Sequence, residues 1–224
     1  MSTVIVSWSG GKDSCLACYE ALRAGHNVRY LLNTVSAEYG RVRFHGTRDS
    51  LIRQQAEAIG IPLVQTPTTP DRYEQEFKEA VRSVIADGVE AVVFGDIHIE
   101  ENRQWSERVC HELGVQAIEP LWGRSCEEVL AQFIARGFEA IVVCTQADVL
   151  GEDWIGRRID VAFLEEITML QRVDACGENG EYHTLVIDGP LFNKRLHISE
   201  SRTVFRDGYW FLDIHNCRLL EKNL

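Results

Sequence analysis

In the first 118 positions, short β-branched apolar runs alternate with stretches of helical period. One run covers 4–8. Another, 28–35, is apolar on both sides, as a strand buried on both faces should be. Further runs lie at 62–66, 91–94 and 115–118. Between them, Leu51, Ile52, Gln55, Ala56 and Ile59 recur at helical spacing, as do Phe77, Val81, Val84 and Ile85, and then Trp105, Val109, Cys110 and Leu113. Helices are predicted over 14–24, 48–59, 72–86 and 102–113, each followed by a glycine stop at Gly25, Gly60, Gly88 or Gly114. Repeated β-α units predict an α/β protein with a doubly wound, mostly parallel sheet covered by helices on both faces.

The pattern changes after Glu119-Pro120-Leu121-Trp122-Gly123. A helix is predicted over 126–136, a strand over 138–145 and a helix over 160–170. Only strand-like runs follow, at 184–187, 202–205 and 209–214. Asp207-Gly208 favours a primed turn and so a hairpin. Residues 1–118 are therefore expected to form one domain, and 119–224 a smaller α+β domain with antiparallel edges.

Composition narrows the classes. The 224 residues are 45% hydrophobic and 25% charged, an ordinary globular balance. A net charge of -11 argues against non-specific binding to nucleic acid or an anionic membrane, while leaving room for a local basic site. No apolar stretch reaches spanning length, and the start has no basic segment before its first strand, so a cytoplasmic location without membrane contact is expected. The 7 cysteines are odd in number and mostly inside apolar patterns, which reads as buried thiols in a reducing compartment. Cys15 and Cys18 have redox spacing but fall within a predicted helix. No second Cys pair or His cluster along the sequence completes a zinc pattern.

The chemistry concentrates where the first strand ends, at Ser9-Gly10-Gly11-Lys12-Asp13-Ser14. A strand, a glycine turn and a helix start point backbone N–H groups and a helix dipole at an anion. Glycines allow close approach, Lys12 adds a positive charge, Ser14 a hydroxyl, and Asp13 a carboxylate able to hold Mg²⁺. The loop lacks the spacing of a Walker A motif and the third glycine of the dinucleotide fingerprint. It resembles the pyrophosphate-binding loop of the N-type ATP pyrophosphatases. That likeness implies an adenine nucleotide alpha hydrolase-like fold of the HUP type, and ATP cleaved between its α and β phosphates.

Residues 177–184, Gly-Glu-Asn-Gly-Glu-Tyr-His-Thr, set two carboxylates around a glycine-bracketed turn. Such a pair suits a cationic group or a metal, or can orient an amine; it is equally the pattern of a solvated acidic turn. The order of the Ser9–Ser14 loop, Gly95-Asp96-Ile97, the segment 119–123, residues 177–184 and Asp188-Gly189-Pro190-Leu191-Phe192 resembles the diphthine–ammonia ligase, or diphthamide synthase, family over nearly the whole chain. The resemblance implies an enzyme that adenylates the carboxylate of diphthine, a modified histidine of elongation factor 2, and lets ammonia displace AMP. It implies that Ser9, Gly10, Gly11, Lys12, Asp13 and Ser14 hold the phosphates, with Lys12 and Asp13 catalytic and Asp13 also the Mg²⁺ contact. His45, Gly95 and Asp96 would lie beside the nucleotide, and Glu178, Glu181 and His183 would face the acceptor.

ATP and Mg²⁺ are the expected cofactors. The expected partners are ammonia and a protein or small-molecule carboxylate, elongation factor 2 if the organism makes diphthamide. A homodimer is left open. Two positions depart from the family pattern, the segment from His98 to Trp105 and His183, which is often glutamate there; both bear on the acceptor. Two other readings stay open at this stage. One is an ATP pyrophosphatase acting on tRNA or a small acid, for which Cys176 is the thiol to check. The other is a nucleotide-binding sensor without turnover.

Overall fold

The β-branched runs of the first half pair side by side. The computed structural model describes residues 1–42 and 45–222. Strands β1 (Thr3–Ser7), β2 (Asn27–Ser36), β3 (Leu63–Thr68), β4 (Ala91–Val93) and β5 (Gln116–Ile118) form a sheet in the order β3-β2-β1-β4-β5. Every pairing in it is parallel. The connections are α1 (Lys12–Arg23), α2 (Asp49–Ile59), α3 (Tyr73–Ile85) and α4 (Glu100–Leu113). β1 shows how both faces are used. Val4 and Val6 sink into the core beneath α1 and α2, while Ile5 between them joins Phe77, Val81 and Val109 on the α3 and α4 side. The chain winds outward from β1 through β2 to β3, then returns to β4 on the other side. A crevice opens at the carboxyl ends of β1 and β4, where the strand order reverses.

The second half builds an antiparallel sheet in the order β7-β6-β9-β8. Its strands are β6 (Glu139–Gln146), β7 (Tyr182–Asp188), β8 (Lys194–Arg206) and β9 (Tyr209–Glu221), with α5 (Cys126–Ala135) and α6 (Val161–Thr168). A reciprocal capping box between Ser125 and Glu128 starts α5. One continuous core takes Leu16 and Ile52 from the first half together with Phe133, Phe138 and Val186 from the second. The two sheets thus share apolar packing through α1 and α2.

The expected α/β class with a parallel sheet and an α+β remainder is what the chain forms. β8 and β9 run 13 residues each, well beyond the expected 202–205 and 209–214. The added stretches turn Leu196 and Ile198 of β8 and Cys217 and Leu219 of β9 onto the core, an alternation too short to stand out beside Lys194, Arg195, Glu200 and Ser201; cross-strand backbone pairing completes the strands. The turn between them has Asp207 at φ 51° and Gly208 at φ 82°, the primed geometry that Asp-Gly favours. Phe44, in the loop predicted to carry His45, lies outside the described residues.

Candidate active site

The loop between β1 and α1 turns at Gly10, whose φ of 81° disfavours any side chain. A Cβ there would sit 2.4 Å from Gln55 Oε1. The turn is held from outside itself. The Gly10 carbonyl accepts from Val186 N at 3.0 Å and from Gln55 Nε2 at 3.0 Å, and the Lys12 amide donates to Thr184 Oγ1 at 3.0 Å. β7, from the other half of the chain, therefore forms one wall of the loop. Gly95, after β4, forms another: a Cβ on it would lie 2.9 Å from the Asp13 carbonyl carbon and 3.0 Å from Ser14 N.

Lys12 is 3% exposed. Its ammonium donates to Asp13 Oδ2 at 2.9 Å and to the carbonyl oxygen of Cys176, and lies 5.0 Å from the centre of the Tyr182 ring. Burial is the largest single effect and opposes the charge, but Asp13 together with Tyr182, Cys176 and Glu178 outweighs it and holds the Lys12 pKa well above that of an ordinary lysine. Asp13 moves up, because burial outweighs the pull of Lys12. Its second oxygen, Oδ1, is buried and has no hydrogen-bond partner among the described residues. A buried carboxylate oxygen left this way suits a hard cation.

Two adjoining cavities open from the loop. One, of about 300 Å³, is bordered by Ser9, Lys12, Asp13, Ser14, Gly95, Asp96, Glu178 and His183. The other, of about 470 Å³, lies toward the end of β2 and is bordered by Trp8, Asn33, Thr34, Phe77 and Trp105. Ser7, Ser9, His45, Phe94, Asp96 and Asn102 border both. Their titratable groups are displaced in a consistent way. Burial, and then Asp13, pushes the Glu178 carboxyl up to about 8, and burial with Glu119 pushes Asp96 up to about 6. Burial lowers His45 to about 4 and moves His183 well down. The two imidazoles lie 4.6 Å apart, and His45 Nδ1 is 3.1 Å from the Thr184 carbonyl oxygen. Since a carbonyl only accepts, Nδ1 carries the hydrogen and Nε2 the lone pair.

The fold gathers ten of the predicted residues around this hollow: Ser9, Lys12, Asp13, Ser14, His45, Gly95, Asp96, Glu178 and His183 line it, and Gly11, the residue just before α1, lies beside His45. Gly10 supports the loop from behind. Glu181 has a different job from the one expected. It is 5% exposed, and its carboxylate accepts from the amides of Asp174 at 2.8 Å and Asn179 at 3.1 Å, which shapes the turn rather than facing the hollow. Cys176 borders the cavity; its thiol donates to the Cys126 carbonyl oxygen at 3.4 Å, and that bond and burial push it far above the ordinary range, away from an activated thiolate. A cavity of about 740 Å³ lined by Arg41, Arg48, Arg202 and Asp213 lies between the loop after β2 and the β8–β9 ribbon, apart from Lys12.

Sequence reading missed Asn33, Asn102 and Thr184. Asn33 had a signal, an amide directly after Leu31-Leu32 in a run read as buried; it is buried and donates to the Trp8 carbonyl at 2.8 Å. Thr184 had none, because its role depends on β7 reaching α1.

Two family models tile the chain: the diphthamide synthase N-terminal domain over residues 2–117 and the diphthamide synthase C-terminal domain over 125–220. The chain belongs to the diphthamide synthase family. A diphthine–ammonia ligase of Danio rerio is 30% identical to it over 222 residues, covering 88% of this chain and 86% of that one. A diphthine–ammonia ligase of Homo sapiens is 29% identical over 245 residues, covering 96% and 90%. The solved structure of a predicted subunit of tRNA methyltransferase from Methanocaldococcus jannaschii covers 85% of this chain and 98% of that one at 16% identity and a TM-score of 0.48, a likeness too distant to bear on activity. For this diphthamide synthase relative, no helix among the described residues is long and apolar enough to cross a membrane.

Proposed function

We propose that the protein is a carbon–nitrogen ligase of the diphthine–ammonia type, which adenylates a carboxylate with ATP and transfers ammonia to it. The carrying observation is the buried Lys12–Asp13 pair at the junction of the two cavities, in a chain of the diphthamide synthase family. In this reading residues 1–118 are the ATP-binding part. The adenosine lies toward Asn33, Phe77 and Trp105, and the phosphates lie along Ser9–Ser14. Residues 119–224 supply the acceptor side through Glu178 and His183. The acceptor is diphthine on elongation factor 2 where diphthamide is made, and otherwise another carboxylate.

The reaction follows in two displacements. A carboxylate oxygen of the acceptor attacks the α-phosphorus, and the bond to the pyrophosphate oxygen breaks. Negative charge grows on the leaving pyrophosphate, and Lys12, kept cationic by Asp13, is the protein charge beside it. Ammonia then attacks the acyl carbon and AMP leaves. The nitrogen must shed a proton, and Glu178, raised to about 8, takes it up in its ionised form, whose share grows as pH rises toward 8. His45 stays neutral at pH 7 and holds its Nδ1 hydrogen on Thr184, so it orients the nucleotide without adding charge. Asp13 Oδ1 fits Mg²⁺, with Asp96 as the neighbouring carboxylate. Mg²⁺ bound there would neutralise phosphate charge as pyrophosphate leaves. Positioning and charge carry the chemistry, with no protein nucleophile.

The test is incubation with ATP, ammonium and diphthine-bearing elongation factor 2. Continued turnover to AMP, pyrophosphate and amide in equal amounts, and only with all three present, is the expected result. ATP bound with no AMP formed in the presence of any carboxylate acceptor refutes the reading.

A further inference from the structure

Three chemically different donors meet beside the hollow without lining it in sequence order. His98 comes from the loop after β4, Cys126 from the first turn of α5, and Asp174 from the segment before β7. His98 Nε2 is 3.2 Å from Asp174 Oδ2. Cys126 Sγ is 3.3 Å from Asp174 Oδ1, 3.5 Å from Asp174 Oδ2 and 4.0 Å from His98 Nδ1. One donor atom from each residue can be chosen so that all lie within 4.8 Å of one another. Zinc bonds of about 2.0–2.3 Å at tetrahedral angles set donor atoms about 3.4–3.6 Å apart. The sulfur–oxygen and nitrogen–oxygen separations already match that spacing to within a few tenths of an ångström. Only the sulfur–nitrogen distance is longer. The imidazole is 39% exposed, so a turn of its ring can set one nitrogen between the other two donors.

The geometry points to a zinc-class metal site at His98, Cys126 and Asp174, with three protein donors and a fourth position open to water. A thiolate, an imidazole and a carboxylate together select zinc over magnesium or calcium, which prefer oxygen alone. Binding converts the Cys126 thiol to a thiolate, and its proton passes to solvent. The second shell is already in place. Asp174 Oδ1 accepts from the amide of Cys176 at 2.8 Å and from that of Glu178 at 3.3 Å, and the Asp174 amide donates to Glu181 at 2.8 Å. The ion would tie the His98 loop, α5 and the 174–178 turn into one unit. That turn presents Glu178 to the cavity and the Cys176 carbonyl to Lys12. The site is independent of the ligase reading, since none of its donors takes part in that reaction.

Cobalt and zinc titration of the full-length, metal-free protein tests it. One Co²⁺ per chain is expected, with a thiolate-to-cobalt charge-transfer band and intense tetrahedral d–d bands, both removed by one equivalent of Zn²⁺. Cys126→Ser should abolish the charge-transfer band, and His98→Ala should weaken Zn²⁺ binding by at least about 100-fold, since even outer-shell changes cost 10–100-fold. Cys217→Ser should leave the spectrum unchanged. If Cys126→Ser does not fold, zinc protection of Cys126 from alkylation, read by peptide mass spectrometry, replaces it. Absence of the band at one equivalent of Co²⁺, its survival in Cys126→Ser, or alkylation of Cys126 at the same rate with and without zinc each overturns the proposal.

Discussion

The ammonium of Lys12 and the carbonyl oxygen of Cys176 are hydrogen-bonded across 164 positions of sequence. The lysine of the first loop is therefore aimed by a turn in the second half of the chain. Asp13 supplies its charge balance and Tyr182 its aromatic neighbour. Lys12→Met should leave Asp13 as an unpaired buried carboxylate and lower unfolding stability by about 3 kcal/mol. The same change should reduce AMP formation by about 10²–10³-fold, the usual effect of removing one group aimed at developing charge. Denaturant melts and a pyrophosphate assay read the two effects; full activity in the variant would remove Lys12 from the chemistry.

Gly95 is the point where β4 meets the start of α1. A methyl group there would press on backbone atoms of Asp13 and Ser14 at 2.9–3.0 Å, and backbone cannot swing aside as a flexible side chain can. Gly95→Ala should cost about 1–3 kcal/mol of stability and weaken ATP binding by about tenfold or more, through a displaced loop. Calorimetric titration with ATP checks this, and unchanged affinity would count against the loop as the phosphate site.

The hollow makes stability depend on pH in two opposite senses. Glu178 is raised from 4.5 to about 8, so the folded state holds a proton that the unfolded state releases. Its stabilising contribution is complete below pH 4.5 and is lost as pH rises toward 8. Glu178→Gln should flatten that loss and make the protein more stable than wild type at pH 8 by about 1–3 kcal/mol. His45 is lowered from 6.5 to about 4, so its contribution is present above pH 6.5 and lost as pH falls through 4. His45→Gln should lessen the loss on the acid side, where His183 still contributes, and leave the alkaline side unchanged. Thermal melts from pH 4 to pH 8.5 give both slopes, and a Glu178→Gln curve parallel to wild type would refute the assignment.

Asp213 on β9 is 7% exposed and gathers Arg41 at 2.8 Å, Arg48 at 3.0 Å and His215 at 3.3 Å. It ties the long ribbon to the segment after β2. Asp213→Asn should cost about 1–3 kcal/mol, because it weakens charge-assisted hydrogen bonds at a mostly buried site. Faster amide exchange in β8 and β9 than in β1 would mark the ribbon as the part released. Equal exchange in both would place the anchor elsewhere.

Much of the frame was legible because its signals are local. Val4-Ile5-Val6, the glycine stops and the helical spacing of Leu51 to Ile59 act within one or two turns of chain, so each announced its element. The outer parts of β8 and β9 were hidden because their apolar face is only Leu196 and Ile198 on one strand and Cys217 and Leu219 on the other, set among charged and polar neighbours. Glu181 misled for a related reason: a glutamate beside a glycine turn looks solvent-facing until the turn's own amides close on it.

The residues alone determined the α/β alternation, the Gly10 turn and the chemistry of Lys12 and Asp13, since these follow from short-range sterics and side-chain type. They could not decide which side chains meet. Thr184 on the Lys12 amide, Cys176 on its ammonium, His45 against His183, and His98, Cys126 and Asp174 around one point are contacts between segments tens to more than a hundred residues apart. Such contacts are set by the packing of β7 and the 174–178 turn onto α1, and that packing comes from the shared apolar core, which no local stretch of sequence encodes.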